Sequence, residues 1–155
     1  MGSEKLNRPL LRAEAIIFNE DKSQVLIQCD IDENFYRLPG GSIEFGETAT
    51  EAIKRELIEE FDLDIYVGEL ACVNESLLEY DGMEVHHCTL IHWCAAPSVE
   101  HMTVITHKEE HNQNIILTWK TLEELSTRPT YPEGILHMIS ANSNIIEHLV
   151  IRKKY

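Results

Sequence analysis

The sequence predicts an α/β domain with a mixed β-sheet that is covered on both faces by helices. Apolar, strand-like segments make up most of the chain, and only two or three helical segments lie among them. The pair Asp81-Gly82 joins two long strand-like segments as a tight hairpin. One amphipathic helix begins near Thr48, directly after a glycine-rich segment. Because a sheet of this kind must bury two apolar faces, we expect helices on both sides of it.

The segments before this helix are predicted as a lead-in, two strands and a short third strand. Residues 1–10 form a polar lead-in without the apolar run of a signal peptide. Residues 12–18 and 25–29 have the composition of paired strands, and the turn residues at 19–23 connect them. Residues 35–38 form a short strand that delivers a glycine-rich loop.

The segments after the helix are predicted as a hairpin, a polar loop, a strand, two short helices and a last strand. Thr121 and Glu124 have the spacing of a capping box, which predicts the start of the first short helix. Pro132 is suited to open the second. The predicted ranges are 65–80 and 83–95 for the hairpin, 98–112 for the loop, 115–119 for the strand, 132–140 for the second helix and 145–151 for the last strand.

Length and composition limit the class of protein. The 155 residues are expected to form one domain, and no apolar run is long enough to cross a membrane. The net charge of -14 argues against broad binding of nucleic acids or anionic membranes. Four cysteines without a C-x-x-C pair favour reduced thiols in a cytoplasmic protein. The oligomeric state is open, with a homodimer as one alternative.

The predicted helix carries three glutamates in an unusual place. A projection at about 100° per residue gives an apolar face and an opposite, solvent-facing side. Glu56, Glu59 and Glu60 do not lie on the solvent side, but on an arc that overlaps the apolar face near its two alanines. The apolar face consists of Ala49, Ala52, Ile53, Leu57 and Phe61, and the solvent side of Glu51, Lys54 and Arg55.

Two interpretations of these glutamates are open. Carboxylates spaced i, i+3 and i+4 repel one another unless a cation lies between them. A hard divalent cation such as Mg²⁺ would fit, since it takes oxygen ligands and keeps positions free for phosphates. Alternatively, the helix is an acidic surface helix that packs slightly rotated.

The glycine-rich segment and the helix together form one longer pattern. It follows Leu38-Pro39 and resembles the signature of the Nudix hydrolase family, G-x5-E-x7-R-E-U-x-E-E-x-G-U, where U is a bulky aliphatic residue. Asp62 stands where the family has a glycine, and Asp adopts the left-handed conformation of a helix end better than most residues. The departure therefore concerns the helix end and not the metal site. The matching residues are Gly41, Glu47, Arg55, Glu56, Leu57, Glu59, Glu60 and Leu63.

The resemblance implies a MutT-like Nudix α/β/α sandwich that hydrolyses a diphosphate linkage in a nucleoside diphosphate joined to another group. The cofactor implied is Mg²⁺, with Mn²⁺ as a substitute. Arg55 would orient the glutamates through charge-assisted hydrogen bonds. The metal ligands implied are Gly41, Glu47, Glu56, Glu59 and Glu60.

The general base and the substrate are less defined. Glu59 or Glu60 could be the base, with Glu109 and Glu110 as alternatives, and we favour a glutamate of the signature. A nucleoside triphosphate is the simplest substrate. Tyr80 lies near the position of a tyrosine in relatives that cleave dinucleoside polyphosphates, and a noncatalytic nucleotide sensor is a third alternative. Candidate substrate contacts are Arg12, Glu44, Tyr80, Trp93 and Glu110.

Overall fold

Ten strands and three helices make up the protein in a computed structural model that describes residues 7–155. The lead-in predicted at residues 1–10 lies largely outside the described residues, and Leu10 already belongs to the first strand. In chain order the elements are β1 (Leu10–Phe18), β2 (Val25–Asp30), β3 (Tyr36–Arg37), β4 (Gly40–Ser42), α1 (Ala49–Phe61), β5 (Tyr66–Tyr80), β6 (Met83–Ala95), β7 (Val104–Thr106), β8 (Ile115–Lys120), α2 (Leu122–Leu125), β9 (Thr130–Tyr131), α3 (Ile135–Ala141) and β10 (Glu147–Lys154).

All ten strands belong to one mixed sheet, as predicted. The order along its main path is β10-β5-β6-β1-β2-β3-β9. β1 runs parallel to β6, β10 runs parallel to β5, and β5 and β6 form the antiparallel hairpin around Asp81-Gly82. β4 pairs with the start of β1 and β8 pairs with β2. The segment Gly40–Ser42 is thus a short strand, and its prediction as a loop was wrong.

The sheet carries a hydrophobic core on each face. Residues of β1 alternate between the two cores, because successive side chains of a strand point to opposite faces. Ala15 and Ile17 pack in the core that includes α1, whereas Ile16 packs in the core that includes α3. Helices therefore cover both faces, which confirms the predicted sandwich. Among residues 7–155, no helix has the length and apolar composition that a membrane span requires.

α1 has the bounds and the buried face that the sequence predicts. The Oγ1 of Thr48 accepts a hydrogen bond from the backbone N–H of Glu51 at 3.2 Å, which caps the first turn. Asp62 ends the helix in the left-handed conformation, with φ 53°, and its N–H donates to the Ile58 carbonyl. The buried residues are Ala49, Ala52, Ile53, Leu57 and Phe61.

The end of α1 provides a test of this backbone assignment. Replacing Asp62 by glycine is expected to raise the free energy of unfolding by about 0.5–1 kcal/mol, because glycine adopts a positive φ without the steric cost that a Cβ imposes. Thermal unfolding measures the change. The matched control is Asp64→Gly, since Asp64 is also exposed but does not have a positive φ. A lower melting temperature for Asp62→Gly would contradict the expectation.

Two predictions in the second half of the chain need correction. Residues 98–112 are not one loop, because they contain β7 between two short 3-10 turns. β7 pairs with β8, and Ile105 at its centre is buried in the core beside α1. The last helix begins at Ile135 and not at Pro132, because Gly134 precedes it in a left-handed conformation. The last strand is confirmed, with the observed bounds Glu147–Lys154.

Candidate active site

Arg55 is the centre of a hydrogen-bond network on α1. Its Nε donates to Glu47 Oε2 at 2.7 Å, and its Nη2 donates to Glu47 Oε1 at 2.9 Å and to the Ser42 carbonyl at 3.0 Å. Its Nη1 donates to Glu56 Oε1 and to Glu59 Oε2, both at 3.1 Å. The side chain is only 21% exposed, so its placement on the solvent side of the helix was wrong. β4 and the turn at Glu47 cover it.

This network has electrostatic consequences for its members. The hydrogen bonds from Arg55 and from the Glu44 backbone hold the pKa of the Glu47 carboxyl below its usual range. In turn, hydrogen bonds to Glu47 and Glu56 raise the pKa of Arg55, although burial opposes the charge. Arg55 therefore stays protonated, keeps the Glu47 carboxylate ionised and orients the carboxylates of both Glu47 and Glu56.

Glu56 and Glu60 lie side by side, one helical turn apart, and line a small pocket that we call the glutamate pocket. Its volume is about 240 Å³. Burial, a hydrogen bond with the Glu56 carboxyl and the charge of Glu56 raise the pKa of Glu60 to about 7. The negative charge of one carboxylate repels that of the other, and a cation between them would relieve this repulsion.

Gly41 lies against the carboxylate of Glu56. A Cβ at this position would fall 2.4 Å from Glu56 Cδ and 2.5 and 2.7 Å from its two oxygens. No side chain fits there, which explains why the segment before the helix has a glycine at this position. Among residues 7–155, no three acidic, histidine or cysteine side chains are arranged so that they could hold a metal ion together. The closest approach to a cation site is thus the pair of Glu56 and Glu60 beside Gly41.

The glutamate pocket has the donor chemistry for a hard divalent cation. Carboxylate oxygens are the ligands that Mg²⁺ and Mn²⁺ prefer, and a cation would relieve the repulsion between Glu56 and Glu60. Glu47 and Glu59 are engaged by Arg55, and the Glu59 side chain is 59% exposed. These two glutamates could join Glu56 and Glu60 around a cation only if their carboxylates reoriented.

A second cavity of about 360 Å³ lies beside the glutamate pocket, and we call it the aromatic cavity. The rings of Phe35 and Tyr131 lie edge to face on its wall, with centroids 6.4 Å apart. The rings of Tyr80 and Tyr155 stack with centroids 4.5 Å apart and also line it. Aromatic walls of this kind suit a planar ring.

Two arginines connect the two cavities. Arg12 and Arg37 line both the glutamate pocket and the aromatic cavity. With its amide oxygen toward Arg37, Gln28 accepts hydrogen bonds from Arg37 Nε at 3.1 Å and from Nη2 at 2.7 Å. The junction of the cavities is thus positively charged, while each cavity contains carboxyl groups.

Glu14 lies at the floor of the aromatic cavity. The residue is only 8% exposed, and burial raises the pKa of its carboxyl to about 7, although the charges of Arg12 and Arg37 oppose that rise. The central strand β1 carries this glutamate between Ala13 and Ala15, which are fully buried in the opposite core. A carboxyl group in such a place is rare unless it has a partner.

Of the other predicted substrate contacts, only one lines either of these cavities. Glu44 is exposed, with its carboxylate 3.7 Å from Arg55. Tyr80 lines the aromatic cavity, whereas Trp93 stacks on Phe18 with centroids 5.9 Å apart and lines neither cavity. Glu110 is exposed in a 3-10 turn. The nearby backbone N–H of Lys108 donates to the Glu60 carbonyl at 2.7 Å, which holds this loop at the end of α1.

Sequence reasoning missed most residues of the two cavities. One signal was available, because a lone glutamate in the apolar run of β1 marks Glu14 as unusual. Arg37 and Phe35 directly precede the glycines, but nothing in their spacing indicates a shared cavity. Tyr131 is far along the chain and carries no signal. The missed residues include Glu14, Phe35, Arg37, Tyr131 and Tyr155.

Comparison with sequence families and curated proteins agrees with this geometry. The model of the NUDIX domain matches residues 9–140. An RNA pyrophosphohydrolase of Ruthia magnifica subsp. Calyptogena magnifica is 34% identical over 71 residues. That alignment covers 46% of this chain and 40% of the relative, so it spans less than half of either protein.

Solved structures show the same fold at low sequence identity. A NUDIX hydrolase from Nitrosomonas europaea superposes with a TM-score of 0.66 at 15% identity, over 95% of this chain and 81% of the other. The MutT protein from Bacillus halodurans superposes with a TM-score of 0.61 at 20% identity, over 92% and 90% of the two chains. The match of the domain model to most of the chain, together with this fold, shows that the chain belongs to the Nudix domain family, the family of the Nudix hydrolases.

Proposed function

We propose that this protein is a metal-dependent hydrolase of the diphosphate linkage in a nucleoside diphosphate joined to another group, most simply a nucleoside triphosphate. One observation carries the proposal: the glutamate pocket and the aromatic cavity meet at Arg12 and Arg37. A nucleotide has the same order of parts, with a planar base at one end and phosphates at the other. Its phosphates would lie at the arginines, which bind phosphate oxygens through two parallel hydrogen bonds.

The divalent cation belongs to the proposal as well. Mg²⁺ or Mn²⁺ would be held by Glu56, Glu60 and Gly41, with Glu47 and Glu59 as further oxygen ligands. When bound, the cation would neutralise negative charge on the phosphates and lower the pKa of a bound water. Arg55 would act by positioning Glu47, Glu56 and Glu59 in the network described above, since it lines neither cavity. Arg12 and Arg37 would stabilise the negative charge that develops on the phosphate oxygens during cleavage.

For the general base we favour a glutamate of α1. Glu60 is half-buried in the glutamate pocket, next to the proposed position of the cation and of the water that it would bind. Glu59 remains the other candidate. Glu109 and Glu110 are exposed, and Glu109 hydrogen-bonds the side chain of Asn112. A base on that loop would have to move towards the substrate first.

A dinucleoside polyphosphate is the alternative substrate. Tyr80, the residue that suggests it, lines the aromatic cavity and stacks on Tyr155. The relative named RNA pyrophosphohydrolase adds the 5′ end of RNA as a further diphosphate to test, although the net charge of -14 disfavours long contacts with RNA. For the sensor alternative, damage to the signature glutamates would be expected, and each of them is present.

An activity screen tests the proposal. The full chain is incubated with nucleoside triphosphates, dinucleoside polyphosphates, nucleotide sugars and 5′-triphosphorylated RNA, with Mg²⁺, with Mn²⁺ and with a chelator. We expect hydrolysis of a diphosphate linkage in at least one class of compound, and none in the chelator. Binding of nucleotides without turnover across the whole panel would favour the sensor. Turnover that persists in the chelator would contradict the role of the metal.

A further inference from the structure

The strands below the aromatic cavity change from apolar to polar residues at one level of the sheet. Residues two apart on a strand share a face. On β1, Ile16 packs in the core beside α3, and Glu14 lies at the floor of the cavity. On β5 the same change occurs from Cys72 to Asn74, and β6 contributes Thr89. The three polar residues are 8%, 3% and 2% exposed, so they form a buried polar floor.

Asn74 in this floor forms side-chain hydrogen bonds within the protein, whereas the Glu14 carboxyl forms none among the described residues. Asn74 Nδ2 donates to the Leu149 carbonyl at 3.1 Å, and Ser76 Oγ donates to Asn74 Oδ1 at 3.0 Å. In the part of the chain that the structure describes, the Glu14 carboxyl has no hydrogen-bond donor, and only the more distant charges of Arg12 and Arg37 favour its ionised form. Among the described residues, every fully buried side-chain oxygen or nitrogen has a hydrogen-bond partner, so the Glu14 oxygens open onto the aromatic cavity, where a ligand that supplies donors would bind them.

We propose that Glu14 is the residue that selects the base of the nucleotide, by accepting two hydrogen bonds from the adjacent N–H groups of guanine. This inference rests on the proposed function, since it places a nucleotide across both cavities. The edge-to-face pair of Phe35 and Tyr131 would contact one face of the base, and Arg12 and Arg37 would hold its phosphates at the entrance to the glutamate pocket. Each of these residues lines the aromatic cavity together with Glu14.

The chemistry of the bases points to guanine among the common ones. A carboxylate offers two acceptor oxygens side by side and no donor. Guanine presents two neighbouring donors, N1–H and the 2-amino group, on one planar edge. Adenine and cytosine each place an acceptor nitrogen next to their amino group, which a carboxylate oxygen would repel. The neutral form of Glu14 has one donor beside one acceptor and would accept these two bases, so the preference for guanine belongs to the ionised form, above the raised pKa of about 7. Uracil and thymine have a single N–H between two carbonyls. Hypoxanthine keeps the N1–H of guanine but lacks its 2-amino group.

Binding of nucleoside monophosphates tests the role of Glu14 without requiring hydrolysis. The affinities of GMP, IMP and AMP are measured by calorimetry at about pH 8, above the raised pKa of Glu14, for the wild-type chain and for Glu14→Gln, with and without Mg²⁺. We expect the wild type to bind GMP about tenfold or more tightly than IMP or AMP, since hydrogen bonds to a charged group are lost with either. In Glu14→Gln the three affinities are expected to lie within about threefold of one another.

The matched control is Glu75→Gln. Glu75 is on β5, like Asn74, but it pairs with His148 and lines neither cavity. Its replacement removes one negative charge and should leave the preference for GMP unchanged. Glu14→Gln should fold, because an amide avoids the cost of a buried charge, and its melting temperature checks this.

Three results would overturn the role of Glu14: equal affinities for GMP, IMP and AMP in the wild type, an unchanged preference in Glu14→Gln, or no binding of any of them at millimolar concentration. The activity screen tests the proposed function independently of the base site. Hydrolysis of triphosphates without a base preference would refute the guanine proposal and leave the proposed function intact. A preference for GMP that Glu14→Gln removes, without any hydrolysis in the screen, would refute the proposed function and leave the base site intact.

Discussion

Replacing Arg55 by methionine is expected to lower kcat by at least about a hundredfold, which corresponds to about 2.7 kcal/mol in the barrier. The Arg55 guanidinium donates the hydrogen bonds that orient the carboxylates of Glu47, Glu56 and Glu59, and methionine has none of these donors. Without them, like-charged carboxylates at neighbouring positions would turn away from each other. Arg55 lines neither cavity, so we expect KM for the nucleotide to change by less than about threefold.

Steady-state kinetics with the substrate from the screen measure both constants. Lys54→Met is the matched control, because Lys54 precedes Arg55 on the helix and is exposed. Its replacement removes one positive charge as well but leaves the Arg55 network intact. Arg55→Lys should also lose most activity, since a lysine cannot reproduce the planar fork of an arginine. A kcat near that of the wild type in Arg55→Met, with a folded protein, would exclude a positioning role for Arg55.

The second large effect concerns Glu56. Replacing it by glutamine is expected to lower kcat by at least about a hundredfold and to reduce the rise in melting temperature that Mg²⁺ causes in the wild type. The amide keeps the size of the side chain and the acceptor for Arg55, but it lacks the charge that a cation requires. In the chelator, the melting temperature of Glu56→Gln should be equal to or above that of the wild type, because the repulsion with Glu60 is relieved.

Glu51→Gln is the control for this substitution. Glu51 is on the same helix and is exposed, so its charge should affect neither the activity nor the shift caused by Mg²⁺ by more than about twofold. Differential scanning fluorimetry over a range of Mg²⁺ concentrations measures the shift. If Glu56→Gln kept the full Mg²⁺-induced shift, Glu56 would not be a ligand of the metal, whatever its activity.

Local patterns in the sequence were sufficient for the fold class and for α1. The capping residue Thr48 and the five buried residues of the helix follow from a period of 3.6 residues and from one side-chain hydrogen bond, both of which depend on neighbours within a few positions. The end of the helix at Asp62 follows in the same way. The family was recognisable for the same reason, since its signature lies within one continuous segment.

Short elements were predicted less well because their formation depends on distant partners. Gly40–Ser42 is a strand because it pairs with β1, and Val104–Thr106 is a strand because it pairs with β8. Neither segment has enough alternation of apolar and polar residues to indicate a strand. The half-burial of Arg55 has a similar origin, because Glu47 and Ser42 cover it from outside the helix.

The α/β fold, the amphipathic helix and its set of glutamates and arginine could be predicted, because each depends on residues that are a few positions apart. Which residues share the cavities depends on the assembled sheet. The pairing of β1 with β4 brings Arg12 beside Ser42, and the pairing of β2 with β3 brings Gln28 beside Arg37. Glu14 reaches the floor of the aromatic cavity through the pairing of β1 with β6. Contacts between strands far apart in the chain leave no spacing pattern, so they become visible only when the sheet is assembled.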